Sequence, residues 1–371
     1  MMLWWLACVP KNVALSGIEP EQIETVLRTH TQRAEVLWAQ STSTARTLQD
    51  AVTALVDAPS PEALELAKTH WRAARWAYSQ AEVLRYQNGP IDHPESGVEH
   101  ELNSWPLDEG FIDSTTDNPE GGLVNNVAQF PELSIELLRS QNTAAGEESI
   151  STGFHAVEFL LWGQDTAADG PGQRPVSDFI DAPNADRRRQ YLTLSTELLV
   201  DQLQGLSTAW EGSHRTAFLQ QSPDASLKGI WTALVMLSGD EMAGERMAVA
   251  FETRDQEDEQ SCFSDNTLAD LRGNMRGIQR IYSGDELGPG LMPLVKQRDP
   301  TMAVGIQGKI ANCTQYLELI PEPFDQSIVA AADSEAHQSV DQAITCLEDL
   351  SSMLSGAAVQ LGLNVQSISG P

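Results

Sequence analysis

His155 and Glu158 stand three positions apart inside the apolar run GFHAVEFLLW, which ends at Gly163-Gln164-Asp165. On a helix, residues three apart share a face. An imidazole nitrogen and a carboxylate oxygen can therefore reach one point, and that pair suits iron, zinc or manganese. The plainer alternative is that Glu158 only holds the His155 tautomer within an ordinary helix core. Gly153, one turn before Val157, lets another backbone or a ligand come close. Two donors do not hold an ion, so further ligands have to come from other elements. Zinc proteases carry H-E-x-x-H or H-x-x-E-H on such a helix. Here Phe159 follows Glu158 and the second histidine is missing, so no catalytic residue is assigned.

Two other stretches could supply ligands. In WRAARWAYSQAEVLRY, residues Arg75, Tyr78, Glu82 and Arg85 recur at spacings of three or four and share a face. A carboxylate between arginines is most simply a salt-bridged helix surface. The chemical reading makes Glu82 a third metal ligand, with Arg75 and Arg85 holding it in place. Glu241, Glu245 and Glu252 recur at spacings of four and seven, and Asp255, Glu257, Asp258 and Glu259 crowd the end of the same helix. Negative charge at a helix C-terminus opposes the backbone dipole, which suggests a compensating cation or arginine there; the plainer reading is a solvated acidic helix end. Glu252 and, from a loop, Asp113 are the remaining candidate ligands.

The elements that would position these groups are helical. Apolar residues repeat with a period near 3.6 over most of the 371 residues, and no run alternates convincingly with period two. The chain reads as all-α, in two helical bundles: residues 18–168 with the HxxE helix over 145–163, a linker over 169–186, and residues 187–366. Residues 88–122 are rich in Pro, Gly, Asp and Asn and read as a long ordered loop of functional use, with room for a short helix. Hydrophobic residues make up 41% of the chain, which excludes a disordered protein, and the formal net charge of −30 argues against a nucleic-acid partner.

No window approaches the ~20 apolar residues of a spanning helix. The N-terminal MMLWWLAC places a small residue before Cys8 after a short apolar run, as a bacterial lipoprotein signal does; residues 1–17 are read as that segment and its tail, with a lipid at Cys8 the one expected membrane contact. Of the other cysteines, Cys313 and Cys346 are expected on antiparallel helices that turn around Pro321–Phe324. Counted from that turn they are offset by roughly 14 residues, about 20 Å at ~1.5 Å per residue, too far for a bridge that needs Cα atoms within ~7 Å. Any disulfide is then expected to include Cys262; three buried thiols with no bridge is the other reading.

Four segments together resemble the imelysin family over nearly the whole chain from about Ile18: GFHAVEFLLWGQD, LNSWPLDEGFID, SGDEMAGERMAVAFETRDQEDEQSCFSDNT and IPEPFDQ. The resemblance implies two helical bundles, a location in the bacterial cell envelope, and a role in uptake of iron or another metal. It maps the family's G-x-H-x-x-E metal motif onto Gly153, His155 and Glu158, at the bundle junction. Iron as the preferred metal comes from this resemblance, as does the rival reading of an envelope metallopeptidase. The chain departs from the family pattern at Gln260 and Leu268, where histidines are common. The resulting expectation is a non-catalytic envelope protein that binds a metal ion, with an envelope transport or redox protein as a candidate partner. A partner-binding scaffold without metal is the third class.

Overall fold

The computed structural model describes residues 15–167 and 169–365; the Cys8 segment lies outside them. Helix α1 (Pro20–Asp57) starts with proline in its first turn and buries Ile23, Val26, Leu37, Trp38, Leu48 and Leu55 along one side. Helix α2 (Pro61–Ala81) is capped by Ser60, whose hydroxyl accepts the Ala63 N–H at 3.1 Å. A single 3₁₀ turn, Glu82–Leu84, ends it. Helix α3 (Gly153–Trp162) carries the HxxE pair, and α4 runs Ala185–Glu211. Helix α5 (Pro223–Met236) continues without a break into a π-helix, Leu237–Ala248. Then come α6 (Thr267–Ser283), α7 (Pro300–Leu319), the short α8 (Phe324–Val329) and α9 (Glu335–Gln360). Among the described residues, strand is confined to the hairpin pairing Gly284–Asp285 with Gly288–Pro289. The all-α class holds, and no described helix is long and apolar enough to cross a membrane.

One set of helices packs α1 against α2 and α4, with α3 seated on α2 and α4. A second packs α9 against α5, the π-helix and α7. Helix α6 contacts both α2 and α7 and so joins the sets. A single apolar core runs through both, with Trp38, Trp71, Trp162, Trp210 and Trp231 fully buried. Each such side chain contributes roughly 1.5–3 kcal/mol or more. The expected boundary at residues 169–186 does not divide this packing. Helix α4 follows it in sequence yet lies along α1. The segment itself is tied in: the Gly172 N–H donates to the Phe263 carbonyl at 2.9 Å, and Arg174 is buried. A break in composition interrupts helix, not contact.

Two local expectations are corrected, and the expected ordered loop is seen in more detail. The HxxE helix begins at Gly153, not near 145, because residues 143–151 form a turn closed by the Thr143 N–H on the Ser149 carbonyl at 2.9 Å. The loop over 88–122 contains the one-turn helices Glu99–Leu102 and Glu109–Ile112. Finally, Cys313 and Cys346 form a disulfide with Cα atoms 5.5 Å apart, and Cys262 is a buried free thiol. The hairpin does not turn at Pro321–Phe324. It carries α8 at its apex, and α9 starts only at Glu335, capped by Ser334. The midpoint of the connection moves to near residue 327, and the offset between the two cysteines falls from roughly 14 residues to about five. Closing a loop over a separation of 33 residues predicts that Cys313→Ala with Cys346→Ala lowers unfolding stability by about 2–4 kcal/mol, measured by urea titration against the oxidised protein. No loss would mean the bridge does not constrain the chain.

Candidate metal centre

All ten residues of α3 are buried, so its polar pair is inside the protein and must be paired there. The helix is pinned at its start. Gly153 has φ +87°, and a Cβ there would stand 2.5 Å from the Leu102 carbonyl oxygen and 2.8 Å from that of Glu101. The close-approaching backbone is thus the one-turn helix Glu99–Leu102, and Thr152 Oγ1 donates to the Glu101 carbonyl at 3.0 Å. On the α2 side, Trp71 Nε1 donates to the Phe154 carbonyl at 3.0 Å.

His155 and Glu158 do converge. His155 Nδ1 lies 2.8 Å from Glu158 Oε2, and the two residues are 1% and 0% exposed. Glu158 Oε1 accepts the Ser264 N–H at 3.0 Å and the Ser264 hydroxyl at 2.6 Å. His155 Nε2 is buried with no hydrogen-bond partner. Burial pushes the Glu158 carboxyl up to about 8, with Asp270 adding to it against the Ser264 donors. Burial, together with Arg75 and Arg246, holds the imidazole well below its ordinary value. Both effects favour neutral forms. With Nδ1 engaged by the carboxyl, the other ring nitrogen, Nε2, is left without a partner. The Trp105 indole packs on it with ring centres 5.2 Å apart. Trp105 also lines a cleft of about 270 Å³ with Arg85, Glu99, Glu241, Arg246 and Gln260.

The other candidate ligands are elsewhere engaged. Glu82 is completely buried and accepts four hydrogen bonds. Arg246 donates to both oxygens, at 2.7 and 3.0 Å, Asn103 to Oε1 at 3.1 Å and Asn274 to Oε2 at 2.8 Å. A carboxylate has about four lone-pair sites, so none is left for a metal. Asp113, also fully buried, is clamped by Arg188 at 2.5 and 2.9 Å and by Arg174 at 3.1 Å. Glu252 is solvent-exposed. The expected face of Glu241, Glu245 and Glu252 does not form because the chain there is a π-helix, bonded i→i+5. Glu241 instead shares a face with Arg246, five residues on, and accepts from it at 2.7 Å. Arg75 does not hold Glu82 directly. Its Nε donates to Asp270 at 2.8 Å, bridging α2 to α6, and its Nη1 donates to Asn103. Arg85 lies 3.2 Å from both Glu99 and Glu241 and 3.7 Å from Glu82. Among the described residues, no third histidine, cysteine or acidic side chain joins His155 and Glu158 in a cluster of metal-capable atoms.

Sequence reasoning missed Ser264, Trp105 and Arg246. Ser264 precedes Asp265, whose left-handed backbone (φ +54°) closes the turn that turns the serine toward Glu158. Nothing in residue spacing signals a contact across 106 positions.

The class defined by this geometry is all-helical, with a buried imidazole–carboxyl pair beside a cleft lined by charged and aromatic side chains. The Imelysin family model matches residues 36–354, and the chain belongs to that family. It is 28% identical over 318 residues to iron-regulated protein A of Synechococcus elongatus, covering 81% of this chain and 77% of that one. It shares its fold with a protein from Parabacteroides distasonis whose crystal structure is described as an iron-regulated protein A precursor. That match has a TM-score of 0.72 and 19% identity, and covers 94% of this chain and 98% of the other.

Proposed function

We propose that this protein binds a metal ion in the cell envelope as part of iron handling, and that His155 is the protein ligand from which the site is built. The observation that carries the reading is the buried, unpartnered Nε2 of an imidazole whose other nitrogen is fixed by a carboxyl. Metal-bound histidines are oriented in this way, with the carboxylate as partner of the far nitrogen. Glu158 is then the orienting group, and a cation on Nε2 would favour its ionised form. The remaining coordination positions are filled by water or by ligands that arrive with the ion, by way of the cleft that Trp105 lines. The names of the relatives support iron-linked physiology, and "precursor" in one of them supports export. The Cys313–Cys346 bridge also suits an oxidising compartment. A peptidase reading has less support, since the geometry supplies neither a second histidine nor a general base beside an open metal position.

Titration of chelator-stripped protein with Zn²⁺, Mn²⁺ and Fe²⁺ under anaerobic conditions, next to His155→Ala, tests this. The variant is expected to lose at least tenfold in affinity for the preferred ion while its circular dichroism keeps the helical signal. Equal binding by wild type and His155→Ala would remove the proposal.

A further inference from the structure

Asp165 follows α3, Asp265 precedes α6, and Asp325 lies in the first turn of α8. Their carboxylate oxygens all lie within 4.8 Å of one another. Acidic side chains gather on protein surfaces without consequence, but this group is not a surface gathering. Asp165 is 3% exposed and Asp325 is 4% exposed. Asp325 Oδ2 is buried without a hydrogen-bond partner, and so is Oε1 of Glu259, a residue only 1% exposed. The Glu259 carboxyl faces the three aspartates: burial pushes it up, and Asp325, Asp265 and Asp165 push it further. Arg72 faces Asp265, but among the described residues no lysine, arginine or histidine forms an ion pair with any of the four. Elsewhere in this protein the buried carboxylates Glu82, Asp113 and Asp270 each have an arginine. Carboxylates crowded together without a counter-charge require protonation or a cation.

We propose that Asp165, Asp265 and Asp325, with Glu259 beside them, form a site for a hard divalent cation of calcium size. The donors are all carboxylate oxygens, which suits calcium or manganese rather than an imidazole-seeking metal. Calcium–oxygen bonds of about 2.3–2.6 Å are compatible with oxygens that all lie within 4.8 Å of one another, and calcium tolerates irregular carboxylate geometry better than magnesium does. Access exists: Asp165 and Asp325 line an open cleft of about 440 Å³ whose rim carries Asp255, Glu257 and one cation, Arg254, a mouth of net negative charge that attracts cations. The ion ties together three segments far apart in sequence. It also borders the His155 centre, because Ser264, which holds Glu158, is the neighbour of Asp265. The site stands independently of the proposed function, since it shares no ligand with it.

The test is calorimetric titration of chelator-stripped full-length protein with Ca²⁺ and with Mn²⁺, for wild type, Asp325→Asn, Asp165→Asn and His155→Ala. One Ca²⁺ per chain is expected, with a rise of several degrees in the unfolding temperature at saturation. Either asparagine variant is expected to weaken Ca²⁺ binding at least tenfold, and His155→Ala to leave it unchanged. In chelator, the asparagine variants should be at least as stable as wild type, because each removes one of the crowded charges; this separates lost binding from failed folding. Absence of saturable binding at millimolar Ca²⁺ and Mn²⁺ overturns the proposal, as does Ca²⁺ affinity that the asparagine variants leave intact.

Discussion

Glu82→Ala is expected to lower the unfolding free energy by about 3–5 kcal/mol, because it strands a buried arginine. Arg246, 4% exposed, donates two hydrogen bonds to Glu82 and keeps only Asn274 and the partly exposed Glu241 once that carboxylate is gone. Asn103 and Asn274 each lose an acceptor as well. A pH profile gives a second, independent readout. Burial alone would raise the Glu82 carboxyl, but Arg246, Arg75 and Arg85 outweigh it and hold it below its ordinary value. Glu241, opposed by burial in the same way, is brought down to about 2 by Arg85 and Arg246. A carboxylate whose folded pKa is depressed contributes stability above its unfolded value, near 4.5, and that contribution is lost as pH falls through the folded value. Wild-type stability should therefore decline between about pH 4.5 and 2, and the decline should be shallower in Glu82→Ala. Urea denaturation at stepped pH measures both. If Glu82 were a metal ligand instead, the variant would lose metal affinity and leave the stability of the stripped protein about unchanged.

Asp113→Ala is expected to cost a similar ~3–5 kcal/mol, for a related reason with a different distribution. Arg188 grips Asp113 through two nitrogens, Nε on Oδ2 and Nη2 on Oδ1, the fork geometry that a lysine cannot reproduce. Arg174 loses only one of its two carboxylates, since it also pairs with Asp178 at 3.0 Å. Most of the cost therefore falls on Arg188, and combining Asp113→Ala with Arg188→Met should recover at least half of it, because removing both members of a buried pair leaves no stranded charge. A single-variant loss below about 1 kcal/mol, or a double variant no better than the single, would show that the clamp is not what holds the loop over 88–122 against the segment over 174–188.

These two residues also show where reading along the chain runs out. The WRAARWAYSQAEVLRY face was legible as arginines around a glutamate, and an ion-paired face is what it is; the partner that saturates Glu82, Arg246, lies 164 residues away. The alternative of a ligand arose because spacing reports which side chains share a face and says nothing of what the opposite helix presents. The Glu241–Glu245–Glu252 pattern failed for a more local reason. It was counted at α-helical period through a stretch that is π-helical, and wider turns place residue 246, not 245, above residue 241. The disulfide depends on a local signal as well. Ser334 before Glu335 is an ordinary helix-start signal, and a hairpin apex placed by it cuts the offset between Cys313 and Cys346 from roughly 14 residues to about five.

The sequence by itself determined the helical class, the start of α2 and the whole span of α7, and the convergence of His155 with Glu158. Each of these follows from neighbours within a few residues: an apolar repeat, a serine or aspartate cap, an i, i+3 pair on one turn. Only the tertiary structure decided which carboxylates have arginines and which do not. Glu82 and Asp113 are saturated; Asp165, Asp265, Asp325 and Glu259 are left facing one another; His155 keeps one nitrogen free. The physical reason is that the state of a buried charge is set by the groups packed against it, and here those groups come from elements up to 195 residues distant, as with Arg75 and Asp270.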